Sequence, residues 1–244
     1  MKNAFTMIEL VFVIVIVGIL SFVISSSFER NTLREAADQV VSHIRYTQHL
    51  AMVDDKFVPN PEMSKEGSAA SRLLESREWY KGRWHILFSR TANETVSYSI
   101  ISDSTKSTYD GNPSANFNSP YSEVARDPLN PTQYLIGTTY TSFDNDKDRY
   151  INPKLDLKKT YGIVGLSIAG GNTGSTATRV IFDSLGRPYR GAITSLTSST
   201  NRLASSRITI KLCKVACTNP QSSANNGDEI VIAIEPESGY THIL

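Results

Sequence analysis

Few residues in this chain could do chemistry, and their spacing tells against most of the chemistry they suggest. Gly165-Leu166-Ser167-Ile168-Ala169 approximates the G-x-S-x-G elbow of serine hydrolases. That elbow needs a strand, a sharp turn and then a helix. Here Gly170, Gly171 and Gly174 follow, the pattern of a strand entering a hairpin loop. The same loop has no P-loop Lys to hold a nucleotide. Asp144, Asp146 and Asp148 alternate like the start of a calcium loop, but Arg149 stands where such a loop needs Gly, and Leu155 where it needs Glu. With Lys147 and Arg149 interleaved, an exposed acidic turn is the plainer reading and calcium the weaker alternative. His43, His49, His85 and His242 form no i,i+4 metal pair and no H-E-x-x-H motif. They are expected at surfaces or interfaces. No catalytic residue, metal or cofactor is expected, and the chain reads as a non-enzyme.

Cys213 and Cys217 carry more information. In an exported domain a disulfide between them is permitted. Along a straight strand four residues span about 13 Å, beyond the roughly 7 Å between Cα atoms that a bridge tolerates. A bridge therefore requires Lys214–Ala216 to turn and the strand to end at Leu212. Two free thiols or an intermolecular link are the alternatives.

Glu9 is the sharpest feature. It lies in the run Phe5–Ile24, twenty residues of which only Thr6, Glu9 and Ser21 are clearly polar. As a helix this run is about 30 Å long, the thickness of a bilayer's hydrocarbon core. A carboxylate inside a spanning segment is costly and marks function. It also wants a cation, and no Lys, Arg or His occurs between Phe5 and Glu29. The partner must come from another chain, from lipid headgroups or from a newly made amino terminus. A cleaved signal peptide fits poorly, because its apolar core is shorter, although Ser25–Ser27 could mimic a cleavage site. A plain signal anchor, with Lys2 cytoplasmic and the rest exported, leaves Glu9 unexplained.

The averages conceal this run. Among 244 residues there are 25 Lys and Arg against 24 Asp and Glu, a net charge of +1, and 40% are hydrophobic. Mean hydropathy is −0.23. These values exclude bulk disorder and a polytopic membrane protein. A near-zero charge makes nucleic acid unlikely as the default partner. Two cysteines are too few for a disulfide-dense scaffold or a four-cysteine zinc site.

The stretch Ala4-Phe5-Thr6-Met7-Ile8-Glu9-Leu10 and the apolar run after it resemble the class III signal of type IV pilins and pseudopilins. The resemblance implies that a prepilin peptidase cuts between Ala4 and Phe5 and that the new amino terminus is N-methylated. It implies that Glu9 pairs with the terminal amine of a neighbouring subunit during assembly. The family usually has Gly where this chain has Ala4. Two later stretches, Arg179–Pro188 (RVIFDSLGRP) and Ile230–Gly239 (IVIAIEPESG), resemble the GspH/FimT group of minor pseudopilins.

Residues 1–4 then read as the leader, 5–24 as the transmembrane and filament-core helix, and 25–55 as its amphipathic continuation. Residues 56–244 read as a periplasmic β-rich head. After Phe28, Leu33, Ala36, Ala37, Val40, Val41, Ile44, Thr47 and Ala51 recur at helical spacing. One helix is expected from about Phe5 to Asp54, with a break at Ser25–Ser27 as the alternative. A short helix is expected around Ala69–Glu78. Strands are expected in WHILF, TVSYSII, QYLIGTTYTSF, YGIVGLSIA, ATRVIF, SRITIKL and EIVIAIE, with 103–132 a long loop. The fold class is α+β: a helical spine packed on an antiparallel sheet or small β-sandwich.

The function implied is structural: a minor pseudopilin of a type II secretion-type system, or else a minor pilin of a type IV pilus or DNA-uptake machine. Its partners would be other pilin or pseudopilin subunits, the prepilin peptidase, the inner-membrane assembly platform and the lipid bilayer. The alternative of another class is a singly anchored periplasmic enzyme or binding domain. Arg179, Arg187, Arg190, Arg202, Arg207 and Lys211 are the residues that would have to form a basic face if DNA were bound.

Overall fold

In the computed structural model the described residues are 6–27, 31–64, 67–90, 96–103, 123–137, 151–171, 178–191, 197–217 and 227–244. The chain divides into two compact units, Met1–Thr32 and Leu33–Leu244.

The first unit holds one helix, α1 (Met7–Ser27). Its unbroken Val, Ile, Leu and Phe content leaves it apolar on every side, and each described side chain from Met7 to Ser21 is exposed. Among the described residues no helix is long and apolar enough to cross a membrane. The side chains described in α1 stop at Ser21, short of the end of the sequence's apolar run at Ile24.

The second helix, α2 (Thr32–Val53), is amphipathic. The expected single spine is therefore described as two helices: Asn31 is not helical, and 28–30 lie outside the described residues. The buried positions of α2 are Leu33, Ala36, Ala37, Val40, Val41, Ile44, Thr47 and Ala51, the full expected stripe. Its small residues let the helix approach the strands closely, while Val40 and Ile44 fill the space between. Each large aliphatic side chain so buried contributes about 1.5–3 kcal/mol.

Two four-stranded antiparallel sheets complete the α+β fold of the second unit. The first has the order β2-β1-β4-β5, from β1 (His85–Arg90), β2 (Val96–Ile101), β4 (Arg179–Phe182) and β5 (Pro188–Arg190). The second has the order β3-β6-β7-β8, from β3 (Gly165–Gly170), β6 (Ile208–Cys213), β7 (Glu229–Ile234) and β8 (Thr241–Ile243). In register, His85 faces Ile101 and Ile181, and Ile210 faces Ile168 and Ile232. One core joins α2 to Ile86, Phe88, Tyr98 and Phe182 of the first sheet and to Ile208, Ile210, Ile230 and Ile232 of the second.

The remaining helices are α3 (Ala69–Glu78), capped by the Ser68 hydroxyl, and α4 (Leu157–Tyr161), capped by Asp156 and closed by left-handed Gly162. Three sequence expectations need correction. Tyr161 ends α4, so the YGIVGLSIA strand begins only at Gly165. In QYLIGTTYTSF the described residues 133–137 are not a strand. They run along the edge of β2, where Ile100 N donates to Leu135 O, and 138–143 lie outside the described residues. Strands β5 and β8 were not expected. They are three residues long, and β5 starts at Pro188, which hides it from a strand pattern.

Candidate assembly site

Ala4 and Phe5, the expected processing residues, lie outside the described residues. Glu9 sits in the first turn of α1, with Thr6 just before the helix. One Glu9 oxygen accepts from the Thr6 backbone N–H at 2.8 Å and from its hydroxyl at 2.7 Å, and Glu9 N–H donates back to Thr6 Oγ1 at 3.4 Å. This is the reciprocal capping box of a T-x-x-E sequence. Reasoning from charge alone missed it, although the spacing Thr6-x-x-Glu9 announces it. Among the described residues the carboxylate therefore has a partner, and that partner is not a cation.

The stretches Arg179–Pro188 and Ile230–Gly239 meet at α2. In the β4–β5 turn, Asp183 is buried. Its oxygens accept from the backbone of Leu185 and Arg187 at 3.0 and 2.9 Å, from Arg187 Nε at 2.8 Å and from the Tyr189 hydroxyl at 3.0 Å. Those bonds hold the turn rigidly and place Gly186 at φ +78°. In the β7–β8 turn, Gly239 sits at φ +65°. A methyl group there would lie 2.3 Å from Gly186 O, so the two turns touch backbone to backbone. Gln48 of α2 closes the junction: its Nε2 donates to Gly186 O at 2.8 Å and to Ser238 O at 2.9 Å. One amide thus ties the helix to both sheets.

A second polar lock lies nearer the middle of α2. Gln39 Nε2 donates to the Tyr98 hydroxyl at 2.8 Å, and Tyr161 donates to Gln39 Oε1 at 2.6 Å. Tyr98 is fully buried, so its own proton goes to His43 Nδ1 at 2.6 Å. This assigns the neutral His43 tautomer with its proton on Nε2. Burial pulls His43 down to about 4, partly opposed by Asp127. Burial pushes the Tyr98 hydroxyl well up. His85, completely buried in β1, donates Nδ1–H to Arg83 O at 3.0 Å, and its Nε2 has no hydrogen-bond partner among the described residues. Burial and the neighbouring Arg179 bring it to about 3. His85 is thus interior, whereas all four histidines were expected at surfaces or interfaces; His43 is half-buried where α2 meets the sheet.

The remaining candidates separate widely. Cys213 and Cys217 form a disulfide with their Cα atoms 5.4 Å apart, and the chain bends through Lys214–Ala216. The strand before it runs to Cys213, one residue further than expected. A methyl group on Gly165 would lie 2.9 Å from Cys217 Sγ, so β3 packs directly against the bridged loop. Asp144, Asp146 and Asp148 lie outside the described residues. Among the described residues no three His, Cys, Asp or Glu side chains are grouped to hold a metal ion. Ser167 pairs with Lys211 in the middle of β3, and the strand continues to Gly170, so no elbow forms at the serine.

The arginines and lysine weighed for DNA are largely occupied. Lys211 is buried and paired with Glu229 at 3.1 Å, Arg187 with Asp183 at 2.8 Å, and Arg207 with Glu235 at 2.8 Å. Arg190 donates to Gly170 O and Ile168 O on the outer edge of β3. These four side chains fasten parts of the fold to one another. No family model, curated protein or solved structure matches this chain.

Proposed function

We propose that this chain is a structural subunit of a pilin-like filament: a minor pseudopilin of a type II secretion-type system, processed between Ala4 and Phe5. In this reading its short amino terminus is cytoplasmic, α1 is its single span of the inner membrane, and the second unit is periplasmic. Once assembled, α1 leaves lipid and packs against the same helix of neighbouring subunits, with α1 and α2 acting as the subunit's spine. A minor pilin of a type IV pilus or DNA-uptake filament would use the same parts.

The observation that carries the reading is α1 itself. It is apolar all round, exposed along its described length, and bears one carboxylate at its start. Such a surface is stable only in lipid or against other apolar helices. Glu9 gives the choice a direction, because an assembled neighbour can supply a terminal amine.

The Thr6–Glu9 capping box favours a second reading, a plain membrane anchor whose Glu9 only starts the helix. Glu9→Gln separates the two, since Gln also completes a capping box but carries no charge. Membrane insertion and recovery in sheared filaments would be measured for Glu9→Gln and Glu9→Ala. The assembly reading expects both variants to insert and neither to enter filaments. Normal filament entry by Glu9→Gln would reduce Glu9 to a cap. Amino-terminal sequencing provides a separate check, and an intact Met1 or a start near Ser27 would overturn the processing step.

A further inference from the structure

The disulfide joins two unlike positions. Cys213 is the last residue of β6 and is fully buried. It lies between strands, opposite Gly165 of β3 and Glu229 of β7, and its carbonyl accepts from Val164 N–H at 2.9 Å. These contacts belong to the sheet and do not need the bridge. Cys217 belongs to no strand. It is half-buried at the end of a bend in which Val215 is 50% exposed and Ala216 is exposed as well. The bend is tied to the sheet at its start, where Lys214 N–H donates to Asp228 O at 2.8 Å.

The two sulfurs therefore differ in access. Strand β3 closes one side of the loop: a methyl group on Gly165 would lie 2.7 Å from Val215 O and 2.9 Å from Cys217 Sγ. Cys217 is left to be approached from its solvent side. Thiol chemistry needs an accessible sulfur that can ionise, and a buried position supplies neither. On the face of β6 that carries Cys213, Lys211 is committed to Glu229 at 3.1 Å. Because the bridge closes only five residues, opening it frees a short bend and leaves most of the chain's constraints in place.

We propose that Cys217 is the exchange site of this bridge, the sulfur at which an external small disulfide or thiol enters, with Cys213 as the resolving partner. In oxidation the Cys217 thiolate attacks one sulfur of the external disulfide. A mixed disulfide forms and one thiolate of the reagent leaves. Cys213 then loses its proton and attacks Cys217 Sγ, which closes the 213–217 bond and expels the second thiolate. Two electrons pass from the cysteine pair to the reagent, whose two thiolates take up the two protons. Cys213 reacts despite its burial because its target is held close, with the Cα atoms 5.4 Å apart. Reduction retraces these steps, with an external thiolate attacking Cys217 Sγ and Cys213 departing.

The test uses the full chain in detergent micelles, reduced and then exposed to glutathione disulfide. Cys213→Ser should accumulate a glutathione adduct on Cys217, located by peptide mass spectrometry. Cys217→Ser should form its adduct on Cys213 at least about tenfold more slowly, and urea should abolish the difference. A second arm needs no substitution, so it stands even where a variant fails to fold. Reduced wild-type chain given a brief, sub-stoichiometric pulse of a maleimide should be alkylated first at Cys217. Equal rates at the two cysteines in the absence of urea, or Cys213 reacting first, would overturn the proposal.

Discussion

Helices α1 and α2 have nearly equal length, 21 and 22 residues, and opposite arrangements of their apolar residues. In α1 the apolar residues are consecutive, so they cover every face. In α2 they recur every three to four residues, so they form a single stripe that two sheets cover completely. Length and helical propensity do not distinguish these helices; the period of the apolar residues does. A continuous run calls for an apolar solvent, and a periodic stripe calls for a core.

The comparison can be broken most forcefully by placing the same charge in each helix. Ile44→Asp puts an unpaired carboxylate in the core of the second unit and should unfold it, at a cost of at least about 4 kcal/mol. On the membrane-anchored reading proposed above, Ile14→Asp should leave thermal unfolding of the second unit unchanged while abolishing membrane insertion. If both variants lower the unfolding temperature equally, the distinction between the helices fails.

Acid sharpens the contrast next, because α2 carries a half-buried histidine and α1 has none. His43 and His85 bind protons less readily folded than unfolded, at about 4 and about 3 against an ordinary value of 6.5. The unfolded chain then takes up more protons below 6.5. Stability is full above that pH and falls as pH drops from 6.5 through about 4 and about 3. The total loss should be a few kcal/mol. Urea unfolding of a fragment beginning near residue 29 would measure it, and His43→Gln, which keeps an acceptor for Tyr98, should flatten the upper part of the slope. A stability that stays level from pH 7 to 4 would contradict the buried, neutral histidines.

A smaller effect is expected at the disulfide, which closes a five-residue loop beside β3. By the loop-entropy relation, Cys217→Ser should cost about 2 kcal/mol in the second unit. Non-reducing mass spectrometry of the wild-type chain should find no alkylatable thiol.

How much of this was legible follows from the range of the interactions. The stripe Leu33–Ala51 and the helix Ala69–Glu78 were readable, because helix periodicity and capping act within a few residues. The bend at Lys214–Ala216 was readable as a condition: if Cys213 and Cys217 bond, the chain must turn. Strand β8 and the edge segment 133–137 were not readable. Three residues beside an existing strand are fixed by that strand's unpaired backbone groups, not by their own pattern. The burial of His43 and His85 was hidden for the same reason, since their partners Tyr98 and Arg83 are selected by strand placement.

The sequence by itself determined that α1 needs an apolar environment, that α2 has one face for a core, and that Glu9 stands alone among apolar residues. Each is a property of neighbours along the chain. Only the tertiary structure decided that Gly186 and Gly239, 53 residues apart, lie in contact under one glutamine, and that Lys211 and Arg190 bond within the fold. The reason is that register and sheet order, which place distant backbone atoms within hydrogen-bond reach, are set by packing across the whole unit.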